Sequence, residues 1–416
     1  MTSHLKDSPS AQKTVPFFRP DLGEPEVNEV LAVLRSGWLT TGSRVRRFEQ
    51  EFAAAVGARH AVAVNSCTAA LHLAAEALGL KAGQAVLVPT MTFAATAEIV
   101  RYLGAVPILV DCDPVTANLD IADAERKLAQ LRSGDLPDSI PKDIRVVGII
   151  PVHVGGLMMD MTDVQRFAER YKLWIVEDAA HAFPAAWRPG PDAPWQRCGE
   201  GTSAVTCFSF YANKTITTGE GGMAVTADAE LAARMRSMSL HGLSHDAWGR
   251  YAGNGSWDYR IMAPGYKYNL TDIAAAIGLH QVARAGEMRR RREVLASRYR
   301  ETLVQVDEID VPPVVRDRIH AWHLFPIRLR TERLGIHRNR FIEELKQAGI
   351  GCSVHWRPLH LHPYYQETYQ WRPEDFPIAT ALWERLISLP LFPSMQIEQI
   401  DHVIQTVKDL CTQYSR

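Results

Sequence analysis

Two residues with side chains suited to cofactor chemistry follow apolar runs that predict strands. Asp178 follows the run at 173–176, and Lys214 follows the run at 205–210, about 36 residues later. A carboxylate at the carboxyl end of a parallel strand lies where open α/β sheets bind ligands, and there it can pair with a protonated pyridine nitrogen. A nearby desolvated lysine can form a Schiff base. The pair predicts a site for pyridoxal 5'-phosphate (PLP); alternatively, Asp178 caps a helix and Lys214 is a surface lysine.

The residues after the first predicted strand have the chemistry of a phosphate site. Ser66, Cys67 and Thr68 would bring hydroxyl, thiol and backbone N–H groups to a helix N-terminus, which favours an anion. Ser209 could add another hydroxyl, and Phe93, after the second strand, could lie flat on a cofactor ring. The alternatives are an ordinary helix cap by Ser66 or Thr68 and a core position for Phe93. The chain has no GxGxxG or Walker motif, which argues against a dinucleotide or ATP.

These residues are separated by alternating strand and helix patterns. Continuous apolar runs rich in β-branched residues need cover on both faces, so they predict a large, mostly parallel sheet between layers of helices. Two further strands enclose the polar, glycine-rich loop that carries Lys214. The predicted strands lie at 62–64, 85–88, 106–110, 146–151, 173–176, 205–210 and 222–226.

The chain is predicted to contain a leader and two domains. Residues 1–15 are polar and lack the apolar segment of a secretion signal, which predicts a disordered leader. Residues 16–285 form the large α/β domain. A long helical pattern leads out of it, and residues 286–416 alternate strands and helices as in a small α+β domain.

Composition narrows the class of protein. The 416 residues carry a formal net charge of -1, which gives no reason to expect nucleic acid or an anionic membrane as partner. No apolar run approaches the length needed to cross a bilayer. None of the six cysteines forms a CxxC pair, which is typical of reduced thiols and argues against a metal site. We therefore expect a cytoplasmic enzyme.

Several motifs resemble those of one family. The sequences EDAAHA at 177–182 and SFYANKTITTGEGG at 209–222 resemble the DegT/DnrJ/EryC1/StrS sugar aminotransferases. The resemblance extends from about Pro16 to the C-terminus, and WLTTG at 38–42 is similar to the family's substrate-side motif. Within the family, the segments most similar to the UDP-4-amino-4-deoxy-L-arabinose aminotransferase branch lie at 265–272, 320–325 and 349–355.

The resemblance implies PLP-dependent transferase fold type I, as in aspartate aminotransferase, and a homodimer with shared active sites. By motif, Lys214 would be the Schiff-base lysine, Asp178 would pair with the ring nitrogen, and His181 would lie near the phenolic oxygen. Either Lys267 or Asn269 would reach the neighbouring subunit's phosphate. The other expected cofactor contacts are Ser66, Cys67, Thr68, Phe93 and Ser209, and the expected substrate contacts are Trp38, Thr40, His355 and Trp356.

The function implied is a two-step exchange. L-glutamate would give its amino group to PLP, leaving 2-oxoglutarate and pyridoxamine phosphate (PMP), and the amino group would pass to a keto group of a nucleotide-linked sugar, such as a 4-keto UDP-sugar. Such amino sugars serve lipopolysaccharide and other cell-surface polysaccharides, or antibiotics. A PMP-dependent sugar dehydratase would have histidine in place of Lys214, and a non-catalytic regulatory protein would need an added domain. His355, Trp356 and His360 could close over a substrate or pack in a loop.

Overall fold

The computed structural model describes residues 14–243 and 259–416. No helix in these two ranges combines the length and apolarity needed to cross a bilayer.

The strands are β1 (His60–Val64), β2 (Gln84–Pro89), β3 (Val106–Val110), β4 (Arg145–Ile149), β5 (Trp174–Asp178), β6 (Ala186–Trp187), β7 (Gln196–Arg197), β8 (Val205–Ser209), β9 (Gly222–Thr226), β10 (Ile309–Asp310), β11 (Arg318–Ile319), β12 (Phe325–Leu329) and β13 (Leu386–Leu389). The α-helices are α1 (Glu24–Ser36), α2 (Ser43–Val56), α3 (Cys67–Ala77), α4 (Ala95–Tyr102), α5 (Ile121–Ser133), α6 (Met161–Tyr171), α7 (Ala229–Met238), α8 (Asp272–Leu303), α9 (Arg338–Gln347), α10 (Pro363–Tyr369), α11 (Pro377–Trp383) and α12 (Ile397–Tyr414).

Seven strands form the central sheet in the order β1-β9-β8-β5-β4-β2-β3. Neighbouring strands are parallel except around β9, which runs antiparallel to β1 and β8. Strands β2, β3 and β9 are apolar and buried along almost their whole length, as expected of a sheet that is covered on both faces. The predicted α/β fold with a large, mostly parallel sheet is confirmed. It brings the carboxyl ends of β5 and β8, and with them Asp178 and Ser209, to one edge.

Helix α8 passes through two hydrophobic cores. Its first half packs Ala275 and Leu279 into the larger core at the central sheet, and its second half packs Leu295 and Tyr299 into a smaller core with β12 and β13. The predicted division at residue 285 falls inside this helix. As a domain boundary it stays a prediction.

Part of the predicted small domain packs with the large one. Leu359, Trp371 and Phe376 belong to the larger core, and the backbone N–H groups of Ile378 and Ala379 donate to the Asp111 carboxylate. Residues 286–416 thus contribute to both cores, because this segment returns to the central sheet. Their grouping as one small domain stays a prediction. Sequence periodicity identifies an element but not the core it joins.

The predicted leader is corrected at its C-terminal end. Residues 1–13 lie outside the described residues. Val15 is fully buried, and it exchanges backbone hydrogen bonds with Gly349 and Gly351 at 2.9 and 2.8 Å. Val15 thus belongs to the fold of the smaller core, because its apolar side chain fills a position there.

Candidate active site

Most of the predicted site residues line one cavity of about 490 Å³ at the carboxyl edge of the central sheet. The cavity lies where β5 and β8 end and where α3 begins. Residues 353–356, in the loop that follows α9, complete the lining. The predicted residues in its lining are Ser66, Cys67, Thr68, Phe93, Asp178, His181, Ser209, Lys214, His355 and Trp356.

The start of α3 forms one end of the cavity. The Ser66 hydroxyl accepts a hydrogen bond from the Ala69 N–H at 3.1 Å, so Ser66, and not Thr68, is the helix cap. Because the helix begins at Cys67, the N–H groups of Cys67 and Thr68 have no acceptor within the helix. Capping and anion binding are therefore compatible here, since they use different N–H groups. This end of the cavity suits a phosphate.

Gly222 allows this arrangement because the backbone of β9 passes directly against the start of α3. A Cβ atom on Gly222 would collide with the carbonyl group of Ser66. We expect Gly222→Ala to shift the helix start, with a cost of about 1–3 kcal/mol in the free energy of unfolding and weaker binding of PLP. Thermal unfolding and a PLP titration would measure both effects. Gly190→Ala is the matched control, because a Cβ atom there meets nothing within 4 Å; equal effects of the two substitutions would contradict the prediction.

Asp178 is a buried carboxylate held by two donors. Its Oδ2 atom accepts from the Thr96 hydroxyl at 2.8 Å, and its Oδ1 atom accepts from the Ala180 N–H at 3.1 Å. Burial raises its pKa, while these hydrogen bonds and the nearby Lys214 amine act in the opposite direction. No helix begins in the turn that follows Asp178, so the helix-cap alternative does not apply. A cationic partner in the cavity would favour the ionised form.

Lys214 lies in the loop between β8 and β9. The Phe210 N–H donates to the Gly221 carbonyl at 2.9 Å, which closes the loop, and the Lys214 N–H donates to the Tyr211 carbonyl at the same distance. Burial lowers the pKa of the Lys214 amine to about 8, although Cys67 and Asp178 favour the charged form. The amine is therefore partly neutral near neutral pH, as a nucleophile or base must be.

The pKa of Lys214 predicts how the full chain captures PLP at different pH values. Only the neutral amine attacks an aldehyde, so the rate should rise with pH and level off above about pH 8, the pKa of this amine. With a lysine of ordinary pKa, the rate of PLP capture would continue to rise up to about pH 10. Stopped-flow absorbance with cofactor-free protein would give the profile. A rate that keeps rising tenfold per pH unit well above 9 would contradict it.

His181 is held as a neutral imidazole. Its Nδ1 atom accepts from the Gly155 N–H at 3.2 Å, which leaves the proton on Nε2. Burial, with smaller contributions from Lys214 and His355, lowers its pKa well below the ordinary value. The ring stacks on Trp356 with centroids 5.0 Å apart and contacts His323 at 4.2 Å. His181 can therefore donate one hydrogen bond from a fixed position to a group in the cavity.

The sequence left open whether His355, Trp356 and His360, in the loop after α9, close over a substrate or pack within the loop. The structure gives a different result for His360 than for the other two. His355 and Trp356 line the cavity, and the His355 Nδ1 atom pairs with the Ser388 hydroxyl at 2.9 Å. His360 instead is fully buried between the hydroxyls of Thr90 and Thr380, at 2.7 and 2.9 Å. His360 is thus a packing residue. Phe93 is 64% exposed and lies in the cavity lining, so it is not a core aromatic.

Four predicted residues lie outside the cavity lining, around Thr41. The Lys267 amine donates to the Asn269 side-chain oxygen at 2.7 Å, and the Asn269 amide donates to the Thr41 hydroxyl at 2.8 Å. The Trp38 indole N–H donates to the Thr41 carbonyl at 3.2 Å, and Thr40 accepts from a backbone N–H of α8. The structure of one chain does not bring these four to the cavity. Their binding roles stay predictions.

Some residues of the site were not predicted. Thr96 holds Asp178, the Gly155 N–H holds His181, and the Asn213 side chain lines the cavity. Thr92 and Thr96 are hydrogen-bonded at 2.8 Å, and the occurrence of two threonines four positions apart after the second predicted strand was the available signal. The contact at Gly155 has no such signal, because it depends on how a turn of the chain approaches β5.

A mostly parallel sheet with a lysine, a buried carboxylate and a free helix N-terminus at its carboxyl edge defines a PLP-dependent transferase of fold type I. Residues 20–408 match the DegT/DnrJ/EryC1/StrS aminotransferase family, and the chain belongs to that family. PLP and PMP are the cofactor forms of this class. The predicted family, fold class and cofactor are thus confirmed.

Individual relatives cover nearly the whole chain. The spore coat polysaccharide biosynthesis protein SpsC of Bacillus subtilis is 42% identical over 397 residues, which cover 95% of this chain and 97% of SpsC. The PLP form of Spr1654 from Streptococcus pneumoniae matches with a TM-score of 0.85 and 30% identity, over 96% of this chain and 99% of Spr1654. The sugar aminotransferase CalS13 from Micromonospora echinospora matches with a TM-score of 0.80 and 28% identity, over 95% and 99% of the two chains.

Proposed function

We propose that this protein transfers the amino group of L-glutamate to a keto group of a nucleotide-linked sugar, with a 4-keto UDP-sugar as the first candidate. The observation that carries the proposal is the partly neutral Lys214 amine beside the buried Asp178 carboxylate in a cavity whose far end suits a phosphate. The cavity serves the donor and the acceptor in turn, by a ping-pong mechanism. SpsC, named for spore coat polysaccharide biosynthesis, and the sugar aminotransferase CalS13 support a sugar as acceptor.

Each residue of the cavity has a proposed role. When bound, PLP supplies an aldehyde and a ring that accepts electrons. Lys214 would remove the proton from the Cα atom of glutamate and return it to the C4′ carbon of the cofactor, as base and then as acid. Asp178 would keep a positive charge on the ring nitrogen, and His181 would donate its Nε2 proton to the phenolic oxygen. Ser66, Cys67, Thr68 and Ser209 would hold the phosphate, and Phe93 would contact the ring.

The substrate contacts form a second part of the proposal. His355 and Trp356 lie in the cavity lining beside His181, where they contact the donor or the sugar. Trp38 and Thr40 act from the segment around Thr41, which meets the active site of a second subunit. Either Lys267 or Asn269 reaches the neighbouring phosphate from the same segment.

We propose a cytoplasmic homodimer with shared active sites. Helix α1 supports this because Val27, Leu31 and Leu34 are exposed at a helical spacing and form an apolar stripe. A stripe of this kind on the surface of a subunit is typical of an interface between subunits.

Leu31→Glu is expected to weaken the proposed dimer, because it places a charge in the middle of the apolar stripe. Sedimentation velocity at micromolar concentration should shift toward the monomer, and amino transfer should fall in parallel. Val304→Glu is the matched control, since Val304 is exposed at the end of α8, away from this stripe. An unchanged dimer in the Leu31→Glu variant would exclude α1 from the interface.

An absorption spectrum before and after L-glutamate tests the first half of the reaction. The band of bound PLP should be replaced by that of PMP and should return with 2-oxoglutarate. UDP-, dTDP- and GDP-linked keto sugars, each mixed with the PMP form, then test the second half by the return of the PLP band. A band that glutamate leaves untouched would contradict the donor. Loss of a sugar hydroxyl without amino transfer would favour the dehydratase.

A further inference from the structure

A second carboxylate lies directly behind Asp178. Glu177 and Asp178 are consecutive residues of β5, so their side chains lie on opposite faces of the sheet. Glu177 is fully buried, and its carboxylate accepts from the Thr202 hydroxyl at 2.6 Å, the Thr206 hydroxyl at 3.1 Å and the His153 Nε2 atom at 2.8 Å. Burial alone would raise the pKa of Glu177, but His153, through its hydrogen bond and the charge it carries when protonated, and then the hydroxyls of Thr202 and Ser203 lower the pKa below its ordinary value. Glu177 is therefore ionised at neutral pH.

The charge on Glu177 is not neutralised by its histidine partner. The Met159 N–H donates to His153 Nδ1 at 3.3 Å, so the single ring proton lies on Nε2 and is the one donated to Glu177. Within residues 14–243 and 259–416, no lysine or arginine forms an ion pair with Glu177. A neutral imidazole and a carboxylate leave one negative charge in the interior.

A metal ion does not explain the cluster of His153, Glu177 and Cys198. The ligand atoms of these three residues lie within 4.8 Å of one another. Both ring nitrogens of His153 are occupied, however, and each oxygen of Glu177 already accepts a hydrogen bond. The polar groups are satisfied by one another, so the remaining consequence of the cluster is its charge.

The cluster is fixed to Asp178 through the backbone. The His153 N–H donates to the Asp178 carbonyl at 3.2 Å, and the Asp178 N–H donates to the Pro151 carbonyl at 2.9 Å. On the neighbouring strand, Cys207 pairs with Asp178, and burial, then Asp178, then Glu177 raise the pKa of its thiol. The two carboxylates thus belong to one rigid strand, with Asp178 on the cavity side of the sheet and Glu177 on the other.

We propose that Glu177 acts with Asp178 to keep the ring nitrogen of bound PLP protonated, through an unneutralised charge on the opposite face of the sheet. This inference rests on the proposed function, because it assumes that Asp178 faces that nitrogen. Glu177 is a positioning residue that touches neither cofactor nor substrate. A unit charge about 10 Å away at an effective dielectric constant near 20 changes such a protonation equilibrium by about tenfold.

The test compares two ligands that differ only at the ring nitrogen. PLP and its 1-deaza analogue, which has a CH group at that position, are titrated into full-length protein freed of cofactor. In the wild type PLP should bind more tightly than the analogue, and Glu177→Gln should reduce this preference about tenfold while the affinity for the analogue changes little. Thr202→Val is the matched control, because it removes one hydrogen bond to Glu177 but leaves the charge. Thr202→Val should change the affinities for PLP and for the analogue by the same factor. An unchanged preference for PLP in Glu177→Gln would overturn the inference.

Two further variants keep the result interpretable. Asp178→Asn should reduce the preference for PLP; if it does not, the proposed role of Asp178 fails, and the inference about Glu177 fails with it. His153→Gln replaces one neutral donor with another and should leave the preference unchanged, which can be measured even if Glu177→Gln does not fold. A clear increase of the preference in His153→Gln would show that His153 is charged and that Glu177 is neutralised, which would overturn the inference.

Discussion

We expect Lys214→Arg to reduce amino transfer by at least about 10³-fold, since acid–base catalysis by a positioned side chain alone contributes 10² to 10⁴-fold. Arginine keeps a positive charge beside Asp178, so the electrostatics of the cavity change little. Its guanidinium stays charged at any pH at which the protein is folded and cannot become the neutral nucleophile or base that the reaction needs. The substitution therefore separates the charge of Lys214 from its chemistry.

Three measurements check this expectation. Amino transfer is followed by the appearance of 2-oxoglutarate, and covalent attachment is followed by the PLP retained after borohydride reduction. Thermal unfolding confirms that the variant is folded. Lys214→Ala, assayed with and without added methylamine, is the companion variant, because an external amine can restore part of the base function but not the tether. Transfer by the arginine variant at more than a few per cent of the wild-type rate would remove Lys214 from the mechanism.

Asp178→Asn should lower kcat/KM by about 10² to 10³-fold, the usual cost of removing one preorganised electrostatic contact to the reacting centre. The amide has nearly the same shape as the carboxylate, and its oxygen can still accept from Ala180 or Thr96 but not from both. We therefore expect a loss of only about 1 kcal/mol in the free energy of unfolding. The large effect should be on activity.

The matched control for Asp178→Asn is Thr96→Val. It removes a donor to Asp178 but leaves the carboxylate in place, so activity should fall by a smaller factor. Because the Thr96 hydroxyl favours the ionised form of Asp178, its loss should raise the pKa of Asp178 further. The acid limb of the activity profile should then move to higher pH. Equal losses in the two variants would mean that packing, and not charge, is what Asp178 contributes.

The fold was predictable because strands covered on both faces leave continuous apolar runs in the sequence. The same logic located Asp178 and Lys214, since polar residues that end such runs meet at one edge of the sheet. The partners of these residues were harder to predict. Thr96 donates to Asp178 from 82 positions away in the chain, and its spacing from Thr92 does not show which carboxylate it faces.

The limits of prediction are clearest where two elements share one sequence pattern. The helical pattern of α8 is continuous, so it contains no mark of the place where one core ends and the other begins. Likewise, His355 and His360 occur in the same loop with similar neighbours, yet one lines the cavity and the other is buried between threonines. Only the tertiary arrangement distinguishes them.

The position of Val15 has a consequence for the order of events during translation. Val15 lies near the start of the chain, but its partners, Gly349 and Gly351, are made more than 300 residues later. At typical ribosome speeds of about 5–20 residues per second, the segment around Val15 waits about 15 seconds or longer for them. The strands of the central sheet lie between residues 60 and 226, so the sheet can assemble during that interval, before Val15 finds its partners.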